Sequence, residues 1–267
     1  MDGRAIGVFD SGVGGLSAVK VLEHILPRED IVYFGDSGRM PYGGRTRDEI
    51  CSMSAEIVQF LSSFGVKAML IACGTITSNA ADYLRSRFDT PFFGVVDEAA
   101  AACCTATRNG RVGVIATAAT VRSGAYTRAI HAISPETDVI EQPCPPLAAI
   151  AEEGHFRPGD TIAEEAVREQ LAPLHGTGID TLLLGCTHYP LLSDIISAKM
   201  GENVRLVSAA AEAACGLRRF LDSHGMLSGS AVEGARRYYT SGDPELFTHC
   251  AELFLGHGIE AEVHTLK

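Results

Sequence analysis

The feature that most constrains this chain is that it reads twice. Ala5-Ile6-Gly7-Val8-Phe9-Asp10-Ser11 resembles Arg111-Val112-Gly113-Val114-Ile115-Ala116-Thr117. Further on, Gly65-Val66-Lys67-Ala68-Met69-Leu70-Ile71-Ala72-Cys73 resembles Gly178-Ile179-Asp180-Thr181-Leu182-Leu183-Leu184-Gly185-Cys186. The spacing between matched segments differs by only a few residues from one half to the other. Short apolar strands can resemble one another by chance, but here a cysteine closes both of the longer matches. Duplication into two related lobes is the simplest account.

Within each half, brief apolar runs alternate with longer amphipathic stretches. The runs 5–9, 31–34, 68–72, 92–96, 111–115, 138–141, 181–184 and 204–207 are short and largely apolar, as strands covered on both faces must be. Helical periodicity follows most of them, over 14–26, 45–64, 78–87, 98–107, 123–133, 162–175 and 190–200. This alternation predicts an α/β fold with mainly parallel sheets. The stretch 209–257 reads as mostly helical, with a last strand at 259–264. The expected first lobe is 1–96 and the second 97–207. Residues 208–267 are expected to return and pack on the first lobe, because no second-lobe strands are left for them to cover.

A chain of 267 residues can bury such a core without disulfide or metal staples. Its net charge of -11 leaves nothing to neutralise phosphates, so neither nucleic acid nor an anionic membrane is an expected partner. No apolar run reaches the ~20 residues of a spanning helix. Met1-Asp2-Gly3-Arg4 leads directly into the first apolar run without a signal peptide, which predicts a cytoplasmic location. The eight cysteines are then expected to be reduced thiols. With no CxxC pair, no structural zinc site is expected.

In open α/β sheets, ligands bind beyond the carboxyl ends of the strands. The residues there are Asp10-Ser11, Gly35-Asp36-Ser37, Cys73-Gly74-Thr75, Thr117 with Thr120, and Cys186-Thr187-His188. Cys73 and Cys186 fall at equivalent strand ends of the two halves and could face each other across a cleft. A thiol at a strand-to-helix turn is expected to ionise more readily than its free value of about 8.5, because the helix N-terminus favours the anion. Each also has a partner for its proton: Asp10 on the neighbouring strand end for Cys73, and His188 two residues on for Cys186. A single cysteine is most often a small buried hydrophobe, and that reading stands for Cys51, Cys103, Cys104, Cys215 and Cys250, which lie in helical patterns. Cys144, in a Pro-rich loop, has no assigned role. Two opposed thiols in different protonation states suit acid and base work on the two faces of an amino-acid α-carbon.

Two glycine-rich segments frame these residues. Asp10-Ser11-Gly12-Val13-Gly14-Gly15 is a strand-to-helix turn able to cradle a carboxylate or phosphate on its N–H groups. It lacks GK[ST] and the full GxGxxG pattern, so it is neither a P-loop nor a dinucleotide fingerprint. Gly35-Asp36-Ser37-Gly38-Arg39-Met40-Pro41-Tyr42-Gly43-Gly44 has the composition of a mobile loop over a site, or of an ordinary surface turn.

Five segments carry a family resemblance. They are Phe9-Asp10-Ser11-Gly12-Val13-Gly14-Gly15-Leu16, Tyr33-Phe34-Gly35-Asp36, Pro41-Tyr42-Gly43, Ala72-Cys73-x-Thr75 and Leu184-Gly185-Cys186-Thr187-His188-Tyr189-Pro190-Leu191. Taken in this order they resemble the glutamate racemases of the aspartate/glutamate racemase superfamily, over nearly the whole chain. The resemblance implies two pseudosymmetric α/β lobes with the active site between them. It implies 1,1-proton transfer at Cα without pyridoxal phosphate, any other cofactor or metal, with Cys73 and Cys186 as the acid–base pair. Asp10 would assist Cys73, and His188 would assist Cys186 with Glu152 beside it. The substrate contacts it implies are Asp10, Ser11, Pro41, Tyr42, Gly43, Gly74, Thr75, Thr117, Thr120, Thr187 and His188. A bacterial enzyme of this kind would supply D-glutamate for peptidoglycan, and a homodimer is among its expectations.

One position departs from the family. An Asn that hydrogen-bonds the substrate usually follows the first catalytic cysteine, and this chain has Gly74. Either a contact worth roughly 1 kcal/mol is missing, or neighbouring groups have adapted so that an inserted amide would clash; the second is the expectation. Other readings remain open: racemisation of another acidic amino acid such as aspartate, or a two-lobed amino-acid-binding protein without activity. A pyridoxal-phosphate racemase is disfavoured, because none of Lys20, Lys67, Lys199 and Lys267 falls at the carboxyl end of a predicted strand.

Overall fold

The computed structural model describes residues 1–266. The first half runs β1 (Ile6–Asp10), α1 (Leu16–Ile25), β2 (Ile31–Gly35), α2 (Arg47–Ser62), β3 (Ala68–Ile71), α3 (Gly74–Arg87), β4 (Phe92–Gly94) and α4 (Val95–Ala106). The second half runs β5 (Arg111–Ala116), α5 (Ala118–Ser123), α6 (Ala125–Ile133), β6 (Asp138–Pro143), α7 (Pro146–Glu152), α8 (Thr161–Leu171), β7 (Thr181–Leu184), α9 (Ser193–Met200) and β8 (Arg205–Ser208). There follow α10 (Ala209–Ser223), β9 (Arg236–Thr240), α11 (Pro244–Leu255) and β10 (Ala261–Val263).

These strands form two parallel sheets, ordered β10-β9-β2-β1-β3-β4 and β6-β5-β7-β8. The run β2-β1-β3-β4 of one repeats as β6-β5-β7-β8 of the other. The duplication in the sequence is therefore a duplication of topology, with β1 matched to β5 and β3 to β7. In each sheet the winding direction reverses between the matched pair, and ligands of open α/β sheets bind outside the carboxyl ends at such a point.

Strand side chains alternate between two buried faces. Ile6, Val8, Leu70 and Ala72 point into a core shared with Val112, Val114 and Leu183 of the second sheet. Phe9, Met69, Ile71 and Cys73 point the other way, toward α2 and α3. Ile115, Leu182, Leu184 and Cys186 do the same on the second sheet. The two thiols thus occupy the same register on matched strands, each on the face turned away from the shared core.

The structure departs from the sequence reading at four places. The stretch 209–257 is not mostly helical throughout: 236–240 is β9, which pairs with β2, and β10 pairs with β9. Tyr238 and Thr240 are buried while their neighbours are less so, the period-2 pattern of a half-covered strand. The helix expected over 123–133 is α6, but it is preceded by a helix the sequence reading lacked, α5, and Gly124 (φ 60) separates the two in the left-handed conformation open to glycine. The Pro-rich loop contains α7, with proline in its first turn, where the missing N–H costs nothing. Finally, α3 begins at Gly74 rather than Ser78, which places Cys73 at its N-cap. Helix α10 packs on α1 and α4, and α11 on α1. Among the described residues no helix is long and apolar enough to cross a membrane.

Candidate active site

A cavity of about 580 Å³ opens between the lobes at the carboxyl ends of β1, β3, β5 and β7. Of the residues singled out from sequence, Ser11, Pro41, Tyr42, Gly43, Cys73, Gly74, Thr75, Thr117, Glu152, Cys186, Thr187 and His188 line it. Asp10 and Thr120 do not line it. Both are buried, and each bonds to a lining residue.

Cys73 receives polar contacts from its own lobe. The backbone N–H groups of Ile76 and Ser11 point at the sulfur, and Ser11 Oγ lies 3.4 Å from it. The same hydroxyl donates to Asp10 Oδ1 at 3.2 Å, so Asp10 reaches the thiol through Ser11. Gly12 N–H also donates to Oδ1, at 2.9 Å, while Thr187 Oγ1 donates to Oδ2 from the other lobe at 3.1 Å. Burial pushes the Asp10 carboxyl above its usual range, against the opposing pull of His188 and these donors. Burial, reinforced by the nearby Asp10 charge, pushes the Cys73 thiol up to about 12. The expectation of a readily ionised thiol fails here because desolvation outweighs what the helix N-terminus provides.

Cys186 is built differently. The strand-to-helix turn after β7 leads first into a 3-10 turn, Tyr189–Leu192, and only then into α9, so no α-helix starts at the sulfur. His188 takes that place: its Nδ1 lies 3.6 Å from Cys186 Sγ, and its Nε2 lies 2.6 Å from Glu152 Oε1 at the end of α7. Burial works against the imidazolium, but hydrogen bonds to Cys186 and Glu152 outweigh it and raise His188 from 6.5 to about 10. Phe254 of α11 packs edge-on to the imidazole at 5.5 Å.

The raised His188 carries a stability consequence. A group whose proton binds more tightly in the folded chain contributes fully below its unfolded value and loses that contribution as pH rises through the folded one. The window here runs from about 6.5 to about 10. Glu152→Gln should therefore lower the urea midpoint more at pH 6 than at pH 10. A loss equal at both values would mean that the pair does not hold the proton.

Hydroxyls bridge the lobes. Thr75 Oγ1 lies 3.0 Å from Thr117 Oγ1, and Thr117 Oγ1 lies 3.0 Å from Thr120 Oγ1. The loop over the cavity is anchored by Asp36, a fully buried carboxylate that accepts from the Tyr42 hydroxyl, Arg39 Nε and Ser241 Oγ. Sequence reasoning placed Asp36 at a strand end but gave it no role. It missed Pro145, Ala148 and Ala149, which with Met40 of that loop add apolar lining; the signal for these three was α7 itself. Among the described residues no Lys or Arg lines the cavity. Gly14 and Gly15 of the glycine-rich turn serve close packing: a Cβ on Gly14 would overlap Thr187 and His188, and one on Gly15 would overlap Asp10 and Tyr33.

Two matched lobes with a thiol from each meeting at one cavity define the class. Residues 6–215 match the family model described as Asp/Glu/Hydantoin racemase, and the chain belongs to that family. Within it the chain is similar to glutamate racemases. It is 40% identical to that of Geobacter metallireducens over 256 residues, 96% of this chain and 94% of the relative. A glutamate racemase isoform from Bacillus anthracis superposes with a TM-score of 0.95 at 37% identity, covering 100% of this chain and 99% of that one. The Francisella tularensis enzyme, solved in complex with D-glutamate, superposes with a TM-score of 0.91 at 36% identity, covering 99% and 98%.

Proposed function

We propose that this racemase interconverts L- and D-glutamate by two-base proton transfer between Cys73 and Cys186. The observation that carries the reading is the pair of buried thiols, one from each lobe, each with its own polar support: Ser11 and Asp10 for Cys73, His188 and Glu152 for Cys186. A Cys73 thiolate removes the α-proton of D-glutamate while a Cys186 thiol delivers one to the opposite face; the roles reverse for L-glutamate. Burial holds Cys73 protonated and an imidazolium stands beside Cys186, the arrangement that suits the L-enantiomer. The α-carbanion needs donors where its charge spreads into the carboxylate, and Thr75, Thr117 and Thr187 with backbone N–H groups supply them. Ser11, Pro41, Tyr42, Gly43 and Gly74 complete the substrate contacts, and Thr120 acts through Thr117.

The same reading places the enzyme in the cytoplasm, making D-glutamate for peptidoglycan. It takes 1–96 with 208–267 as one lobe and 97–207 as the other, a division supported by β9 and β10 extending the first sheet. Aspartate is the competing substrate, and circular dichroism of purified protein with each amino acid decides between them: faster loss of rotation with aspartate overturns the assignment. In deuterated water the product enantiomer should carry deuterium at Cα from the first turnover while the remaining substrate gains little, because the base that takes the proton is not the acid that returns one. Early washout into the starting enantiomer would indicate a single base.

A further inference from the structure

We propose that close glycine contacts across the cleft, Gly74 on Gly185 and Gly14 on Thr187 and His188, set the separation of the two thiols, which makes Gly74 and Gly185 positioning residues for the proton transfer. The inference rests on the reading of Cys73 and Cys186 as the acid–base pair.

Gly74 adjoins Cys73, and Gly185 adjoins Cys186. A Cβ built on Gly74 would lie 2.5 Å from the carbonyl oxygen of Gly185, well inside the 3.0 Å that real Cβ contacts respect. Conformation does not demand glycine here, since Gly74 is helical and not among the residues with positive φ. The demand comes from the opposite backbone. Nor can Gly185 retreat easily. Its N–H donates to the Ile115 carbonyl at 2.8 Å, and the fully buried Tyr126 donates its hydroxyl to the Gly185 oxygen at 3.4 Å. A Cβ on Gly185 itself would lie 2.9 Å from both the Ile115 oxygen and the Tyr126 ring. At the second contact, a Cβ on Gly14 would lie 2.4 Å from Thr187 Oγ1 and 2.5 Å from His188 Cε1. Backbone therefore meets backbone beside the sulfurs, and a methyl group at position 74 must push the Cys73 and Cys186 turns apart.

Inversion requires both sulfurs to reach one carbon. If they separate, the carbanion formed at one thiol is out of reach of the other and recaptures a proton on the face it lost. That thiol exchanges with solvent, so the starting enantiomer acquires solvent hydrogen without inverting. A misplacement of about 1 Å can cost on the order of 100-fold in rate.

The test is Gly74→Ala in deuterated water, scoring deuterium in the starting enantiomer against inversion, with steady-state kinetics and thermal melting alongside. The expected result is a fall in kcat of about tenfold or more, a KM changed far less, and a raised ratio of exchange to inversion. Gly74→Asn should fall as well, because every Cβ at this position meets the same oxygen. Tyr126→Phe, which frees the Gly185 oxygen but keeps the ring, should shift the ratio the same way by a smaller factor. It also serves if Gly74→Ala folds poorly. Simple loss of folded protein would lower exchange and inversion together and leave the ratio unchanged, and that result overturns the proposal. Wild-type kcat in Gly74→Ala overturns it too. A wild-type protein that does not invert glutamate overturns the acid–base reading first, and this proposal with it.

Discussion

Replacing either Cys73 or Cys186 by alanine should reduce racemisation of glutamate by at least about 1,000-fold in both directions. A positioned acid or base contributes typically about 10² to 10⁴, and inversion needs both in the same turnover. Each variant keeps one thiol, which in the proposed mechanism serves one face only. The neighbouring groups offer no substitute: Asp10 is buried behind Ser11 and His188 is held by Glu152. The fold should survive, because losing one buried sulfur costs about 1 kcal/mol against a total of roughly 5–15 kcal/mol. Circular dichroism on each enantiomer gives the rate, and an unchanged far-ultraviolet spectrum shows that the loss is chemical. Turnover within tenfold of wild type in either variant sinks the two-thiol mechanism. Serine in place of cysteine should recover little, because a hydroxyl in the same position is a much weaker acid.

What the sequence disclosed and what it hid follow from how each signal is written in the chain. The paired strands were legible because both faces are buried, which forces continuous apolar runs, and because cysteine marks the same register twice. The thiol partners were legible because they lie within a few residues of a strand end. The chemistry of Cys73 was not. Helix polarity is a local property readable from sequence, whereas burial and the Asp10 charge depend on the assembled cleft, and they win. Strand β9 was missed although Arg236-Arg237-Tyr238-Tyr239-Thr240 alternates and Ser241-Gly242-Asp243-Pro244 opens a helix with an Asp cap. An edge-side strand half covered by its neighbours has too weak a hydrophobic pattern to stand out between two helices. The closeness of Gly74 to Gly185 was beyond sequence altogether, since it exists only once two distant turns are packed together.

His188→Asn should lower kcat/KM by about 100-fold or more near neutral pH, and the deficit should narrow as pH rises. The factor must be the same for both enantiomers. L- and D-glutamate are equally stable, so their equilibrium constant is one, and the ratio of kcat/KM in the two directions has to equal it in every variant. The asymmetry between the two thiols therefore cannot show in that ratio and must be sought in pH dependence. In the proposed mechanism the active enzyme holds one thiol and one thiolate at once. In the wild type an imidazolium lies 3.6 Å from Cys186 Sγ, and burial notwithstanding, His188 keeps its proton up to about 10. The positive charge that the proposed cycle places beside this sulfur is thus present at pH 7. Asparagine offers a hydrogen bond but no charge, and a thiol without a cationic neighbour ionises at about 8.5 in general. The variant's activity should climb through the alkaline range while the wild type flattens and then declines toward pH 10, where His188 itself gives up the proton the cycle needs. A deficit that stays constant from pH 6 to 10 would reduce His188 to a steric support for Cys186. Activity within threefold of wild type at pH 7 would remove it from the mechanism.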